Sequence, residues 1–103
     1  MAFSIDVSSI VFKQTRRDIN ATAVILADDS KRVGEIYDVA ERIVADVNFT
    51  CVNARAAFAA EARRLHPVVL GRADRGDDVF ISEYARVLLA DAEKILLSEL
   101  SSN

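Results

Sequence analysis

The sequence is short of chain breakers. Three glycines and one proline serve 103 residues, and up to residue 65 the only one of them is Gly34. So few breakers leave little material for tight turns and lower the cost of helix. Tryptophan is absent, and histidine occurs once, as His66. A single cysteine, Cys51, excludes an internal disulfide. It has no His or Asp at helical spacing to activate it, so it reads as a buried structural thiol. No apolar run approaches the roughly 20 residues of a membrane helix, so no membrane partner is expected. Charge of one sign is lacking too. Lys+Arg number 13 and Asp+Glu 16; residues 1–52 hold six basic and eight acidic side chains, residues 53–103 seven and eight. Arg16-Arg17, Arg63-Arg64 and Arg72…Arg75 are each diluted by nearby acids. Nucleic-acid binding, which needs a patch that neutralises phosphates, is therefore not expected. The N-terminal stretch Met1–Asp6 lacks a basic region and a continuous apolar core, so it does not read as a signal peptide and the expected compartment is the cytoplasm.

What is present is apolar. Hydrophobic residues make up 51% and charged residues 28%, which predicts one folded domain over residues 1–103 rather than a disordered chain. Alanine occurs sixteen times. The remaining breakers gather at His66-Pro67, Gly71 and Gly76, with Asp74, Asp77 and Asp78 among them, which predicts a loop over 66–78. After it, Ile81, Tyr84, Ala85, Leu88, Leu89, Ala92, Ile95 and Leu96 fall on one arc at 100° per residue. That pattern predicts a helix over about 79–100, capped by Asp77 or Asp78.

The middle of the chain carries a longer pattern. Val33, Tyr37, Ala40, Val44, Val47, Cys51, Ala54, Phe58, Glu61 and Leu65 are spaced alternately four and three residues apart, the period of a heptad seam. The natural reading is one helix over 31–65, about 50 Å long, with a kink at Asn48-Phe49-Thr50-Cys51-Val52-Asn53 as the open point, since those residues favour helix poorly. Upstream, Phe3, Ile5 and Val7 alternate with polar residues, as a short strand or an arm. Residues 9–27 then read as a further helix. The run Ala21–Ala27 suits a strand equally, but no second strong strand is evident to pair with it, and a lone strand leaves its backbone unpaired. The expected fold is all-α: a three- or four-helix antiparallel bundle around a long central helix.

Chemistry has few candidates. His66 is the one histidine available to a Ser-His-Asp or Cys-His arrangement with Ser82 or Cys51 and Asp74, Asp77 or Asp78, and no nucleophile-elbow pattern surrounds any serine. The loop from Arg72 to Asp78 lacks the alternating oxygen ligands and closing Glu of an EF-hand. Gly34, Gly71 and Gly76 match neither a P-loop nor a dinucleotide fingerprint. The expectation is no catalytic residue, no metal and no cofactor, with a small metal-binding or catalytic protein using His66 as an alternative.

Residues 54–66 read Ala-Arg-Ala-Ala-Phe-Ala-Ala-Glu-Ala-Arg-Arg-Leu-His, followed by Pro67. This resembles the second helix of J-domains, the co-chaperone modules that stimulate Hsp70 ATPases, and a loop followed by an apolar helix through Tyr84–Leu97 continues the likeness. The family's His-Pro-Asp stands here as His66-Pro67-Val68, so the resemblance implies a degenerate module without the acidic residue on which stimulation depends. The principal functional expectation is different: a non-enzymatic interaction or assembly protein. It would bury the seam of Val33, Tyr37, Ala40, Val44, Val47, Cys51, Ala54, Phe58 and Leu65 in a homo-oligomer or against a helical protein partner. Ala40 and Ala54 would permit close approach, and Glu61 would set register.

Overall fold

The computed structural model describes residues 2–14, 19–28, 30–39, 44–65 and 76–101. It is a mixed α/β domain, not the expected helical bundle or coiled coil. The elements run β1 (Phe3–Ile5), a 3-10 turn (Val7–Ser9), β2 (Val11–Gln14), β3 (Ile19–Ala27), β4 (Lys31–Val39), β5 (Asp46–Phe49), α1 (Val52–Leu65) and α2 (Asp77–Ser101). The strands form one antiparallel sheet in the order β1-β3-β4-β5, with β2 also paired to β3. β1 and β2 line successive stretches of one side of β3, opposite Ile25–Ala27 and Ile19–Thr22 respectively. The 3-10 turn between them is stitched to the middle of β3: Asp6 N–H donates to Val24 O at 2.9 Å, and Val24 N–H donates to Ser9 Oγ at 2.8 Å.

In place of the helix expected over 9–27 stand β2 and β3, and residues 31–39 supply β3 with a strand partner. Along β3, Ala21, Ala23, Ile25 and Ala27 are buried while Thr22, Val24 and Leu26 are half-buried, a period of two. β4 hides its own period. A bulge between Ile25 and Leu26 leaves Val33 as an extra residue opposite them, so Val33, Gly34 and Ile36 are all buried. The resulting spacing of Val33 and Ile36 imitates one helical turn. β3 and β4 meet through a short turn in which Asp28 takes a left-handed φ of 51°, a conformation aspartate tolerates better than most residues.

The heptad seam is dismantled by this arrangement. Val33, Ala54 and Phe58 are buried in the common core. Tyr37 is exposed, on the opposite face of β4. Val44 and Val47 are half-buried near β5, while Cys51, expected to be a buried thiol, is exposed. Leu65 is exposed and Glu61 half-buried. Ala40 lies outside the described residues. No long central helix exists. The weak helix formers Asn48–Asn53 mark the end of a strand and the start of α1.

α1 and α2 pack on one face of the sheet. Their ring contacts meet at Phe58, which is fully buried, with centroids 4.9 Å from Phe3, 5.3 Å from Phe49 and 4.7 Å from Tyr84. Alanine serves the packing from both sides: Ala21, Ala23 and Ala27 from β3, Ala54, Ala59 and Ala62 from α1, Ala85 and Ala92 from α2. Short side chains let helices lie close to a sheet at native density. α2 occupies the span expected of the C-terminal helix. Its expected caps, Asp77 and Asp78, sit in its first turn, where the helix dipole favours acids. Arg63 Nε donates to Asp77 at 2.8 Å and the Arg63 guanidinium lies 4.3 Å above the Phe80 ring, while Arg55 pairs with Asp78. These contacts tie the first turn of α2 to α1.

Candidate functional site

β5 is an edge strand, paired on one side with β4. Its register is set by the pairs Gly34–Phe49, Glu35–Asn48, Ile36–Val47 and Tyr37–Asp46, and it continues into Thr50, whose N–H donates to Val33 O at 2.9 Å. Backbone polar groups alternate sides along a strand. With Thr50 directed at β4, Asn48 and Asp46 are directed there too. The N–H and C=O groups of Val47 and Phe49 then point away from the sheet. Among the described residues no backbone partner faces them.

Both ends of this open edge are closed by hydrogen bonds. On one side Ala45 N–H, which also points outward, donates to the buried Ser82 Oγ of α2 at 2.8 Å. On the other, Cys51 begins the turn into α1: its carbonyl accepts from Arg55 N–H at 3.2 Å and its Sγ accepts from Ala54 N–H at 3.4 Å. Between these stops the chain offers two outward N–H donors and two outward C=O acceptors. The length of the site is set at one end by the Ser82 side chain of α2 and at the other by the start of α1, which draws Cys51 into its first turn.

The edge opens into a recess. A cavity of about 490 Å³ is lined by Val44, Val47, Asn48, Arg55, Asp78 and Ile81 among others. A second, of about 360 Å³, shares Val47, Asn48 and Arg55 with it and continues past Phe49 to Val52. The two adjoin along the outside of β5 as one groove of mixed lining, in which Val44, Val47 and Ile81 stand beside Asp46, Asn48 and the Arg55–Asp78 ion pair. Val52 stands beside the groove and is 82% exposed.

Of the sequence-predicted seam, Tyr37, Val44 and Val47 line this groove and Cys51 lies at its α1 end, while Ala54 lines a separate recess with Val33. Val33, Phe58 and Leu65 do not line it: Val33 and Phe58 are in the core and Leu65 is exposed at the end of α1. Asn48 and Phe49 were the residues overlooked, although their poor helix propensity was the available signal. Those catalytic candidates that lie among the described residues are engaged in other contacts. Ser82 Oγ is committed to Ala45, Cys51 Sγ caps α1, and Asp77 and Asp78 are paired with arginines. His66 and Asp74 lie outside the described residues. Among the described residues no three His, Cys, Asp or Glu side chains cluster as a metal site, and no helix is long and apolar enough to cross a membrane.

Perturbed titrations occur away from the groove. Hydrogen bonding to Arg64 holds the Glu61 carboxyl below its ordinary range and raises Arg64. Burial among the aromatic rings pushes the Tyr84 phenol up, and burial, reinforced by the charge of Asp38, pushes the Glu93 carboxyl up. Exposed apolar side chains gather in two further places, at Val11, Phe12 and Ile19 and on the last turns of α2 at Ile95, Leu97 and Leu100. No protein-family model, curated protein or solved structure matches the chain, and the His66-Pro67-Val68 stretch of the J-domain resemblance lies outside the described residues.

Proposed function

We propose that this chain is a non-enzymatic interaction module that receives an extended segment of another polypeptide along β5. One observation carries the reading: the outward backbone groups of Val47 and Phe49, without a backbone partner among the described residues, form a ladder of fixed length beside a groove. Main-chain hydrogen bonds at such an edge give affinity, and neighbouring pockets select side chains. An edge left open is also a liability that folds commonly blunt. The opposite edge of this sheet is interrupted by the 3-10 turn at Val7–Ser9, whereas β5 has no such interruption. Association was expected from the sequence through a helical seam; the surface proposed for it is now a strand.

The test is proline at position 47. Proline is tolerated on an edge strand where its missing N–H would have faced solvent, so Val47→Pro should keep the fold and lose the docking ladder. Peptides selected from a random display library against the wild-type chain should include extended binders that fail to bind Val47→Pro. Binders indifferent to that substitution, or a selection that yields none, would overturn the reading.

A further inference from the structure

The occupant that fits the β5 edge can be read from its two stops. We infer that it is the β5 edge of a second copy of this chain, paired antiparallel about a two-fold axis at Asn48. The inference rests on the strand-docking reading and names its partner. An isologous interface needs a self-complementary patch, and the open stretch is one.

Three registers centre the two-fold axis on the open stretch itself. Centring the axis on Val47 sets Phe49 opposite the second copy's Ala45, whose N–H is already given to Ser82 Oγ. Centring it on Phe49 sets Val47 opposite the second copy's Cys51, whose carbonyl already accepts from Arg55. Centring it on Asn48 sets Val47 opposite Phe49, and Phe49 opposite Val47. Each such pair exchanges two hydrogen bonds, so the four outward groups of each copy are all satisfied and none is left over. No like charges oppose one another in that register. Asp46 falls opposite the second copy's Thr50, and the two Asn48 side chains meet at the axis as amides able to donate and accept. The two sheets become one continuous antiparallel sheet.

Sedimentation equilibrium of the wild-type chain should show a monomer–dimer equilibrium. Asn48→Lys alters an exposed side chain and places two cations at the axis. It should weaken dimerisation by about tenfold or more while leaving the circular dichroism unchanged. A second variant fixes the register. At a pair that is not hydrogen-bonded the Cα atoms lie about 4.5 Å apart, within reach of a disulfide. Asn48→Cys in a Cys51→Ser background should therefore cross-link to a covalent dimer with oxidised glutathione, two thiols giving up their hydrogens as the S–S bond forms. A wild-type chain that stays monomeric at high concentration would overturn the second copy as occupant. So would a dimer indifferent to Asn48→Lys, or an Asn48→Cys chain that fails to cross-link. If display-selected peptides still bind and Val47→Pro abolishes their binding, the strand-docking reading survives that failure; if those binders ignore Val47→Pro, it fails as well.

Discussion

Arg86 of α2 holds the Oδ1 of Asp38 in β4, at 3.1 Å from Nε and 3.0 Å from Nη2. Asp38 lies opposite Ala21 in the sheet, so this pair ties the middle of α2 to the face it covers. The side chains are 28% and 24% exposed, enough burial for the pair to matter and enough water to limit its worth. Arg86→Met should destabilise the fold by about 1–2 kcal/mol, because it leaves the Asp38 carboxylate without its guanidinium in a half-dry place. Asp38→Asn should cost less, since it removes the charge that needs compensation. Urea unfolding of the two single variants and the double variant would give the coupling between them.

Glu93 reports on the same region. Burial, and secondly the charge of Asp38, raise its carboxyl above the ordinary range in the folded state. The folded chain therefore binds this proton more tightly than the unfolded chain. Stability contributed by the neutral acid is fully present below the ordinary glutamate range and is lost as pH rises through the raised value. Glu93→Gln should accordingly be more stable than wild type at neutral pH and equal to it in acid. Denaturation midpoints that do not converge on acidification would contradict this.

Gly34 is a steric requirement. A Cβ at this position would collide with the backbone oxygen of Asn48 and lie 3.2 Å from Phe49 Cδ1. Gly34→Ala must push β5 away from β4, at a cost of about 1–3 kcal/mol typical of overpacking. Faster amide exchange of Thr50, whose N–H bonds to Val33, is the expected local signature.

Phe58 and Leu65 separate the sheet-based core from a helical seam, which would contain both. Phe58 is fully buried among three rings and Leu65 is 45% exposed. Phe58→Ala should cost about 3–5 kcal/mol, and Leu65→Ala within about 0.5 kcal/mol of nothing. Comparable losses at the two positions would point back to a shared stripe.

Some of this architecture was legible along the chain. The helix at the C-terminus was, because its stripe from Ile81 through Leu96 repeats over several turns and depends on neighbours three and four residues away. The strand at Phe3–Ile5 was visible as alternation. The stretch Ala21–Ala27 was visible as an ambiguous one, and its partner was not recognised because the bulge at Val33 breaks the period of two just where β4 enters the core. Val44 and Val47 of the groove stood in the misread seam, but Asn48 and Phe49 did not.

By itself, then, the sequence determined an apolar, alanine-rich chain able to fold, one strong helix, a single thiol, and a nearly even charge balance. The tertiary structure decided which residues share a face. Helix hydrogen bonds close within four residues, so a helix announces itself locally. Strand bonds close between residues such as Thr50 and Val33, whose pairing depends on every turn between them. The open edge at Val47 and Phe49 exists because α2 takes up the backbone at Ala45 and α1 takes it up at Cys51, and neither contact is written in the local pattern.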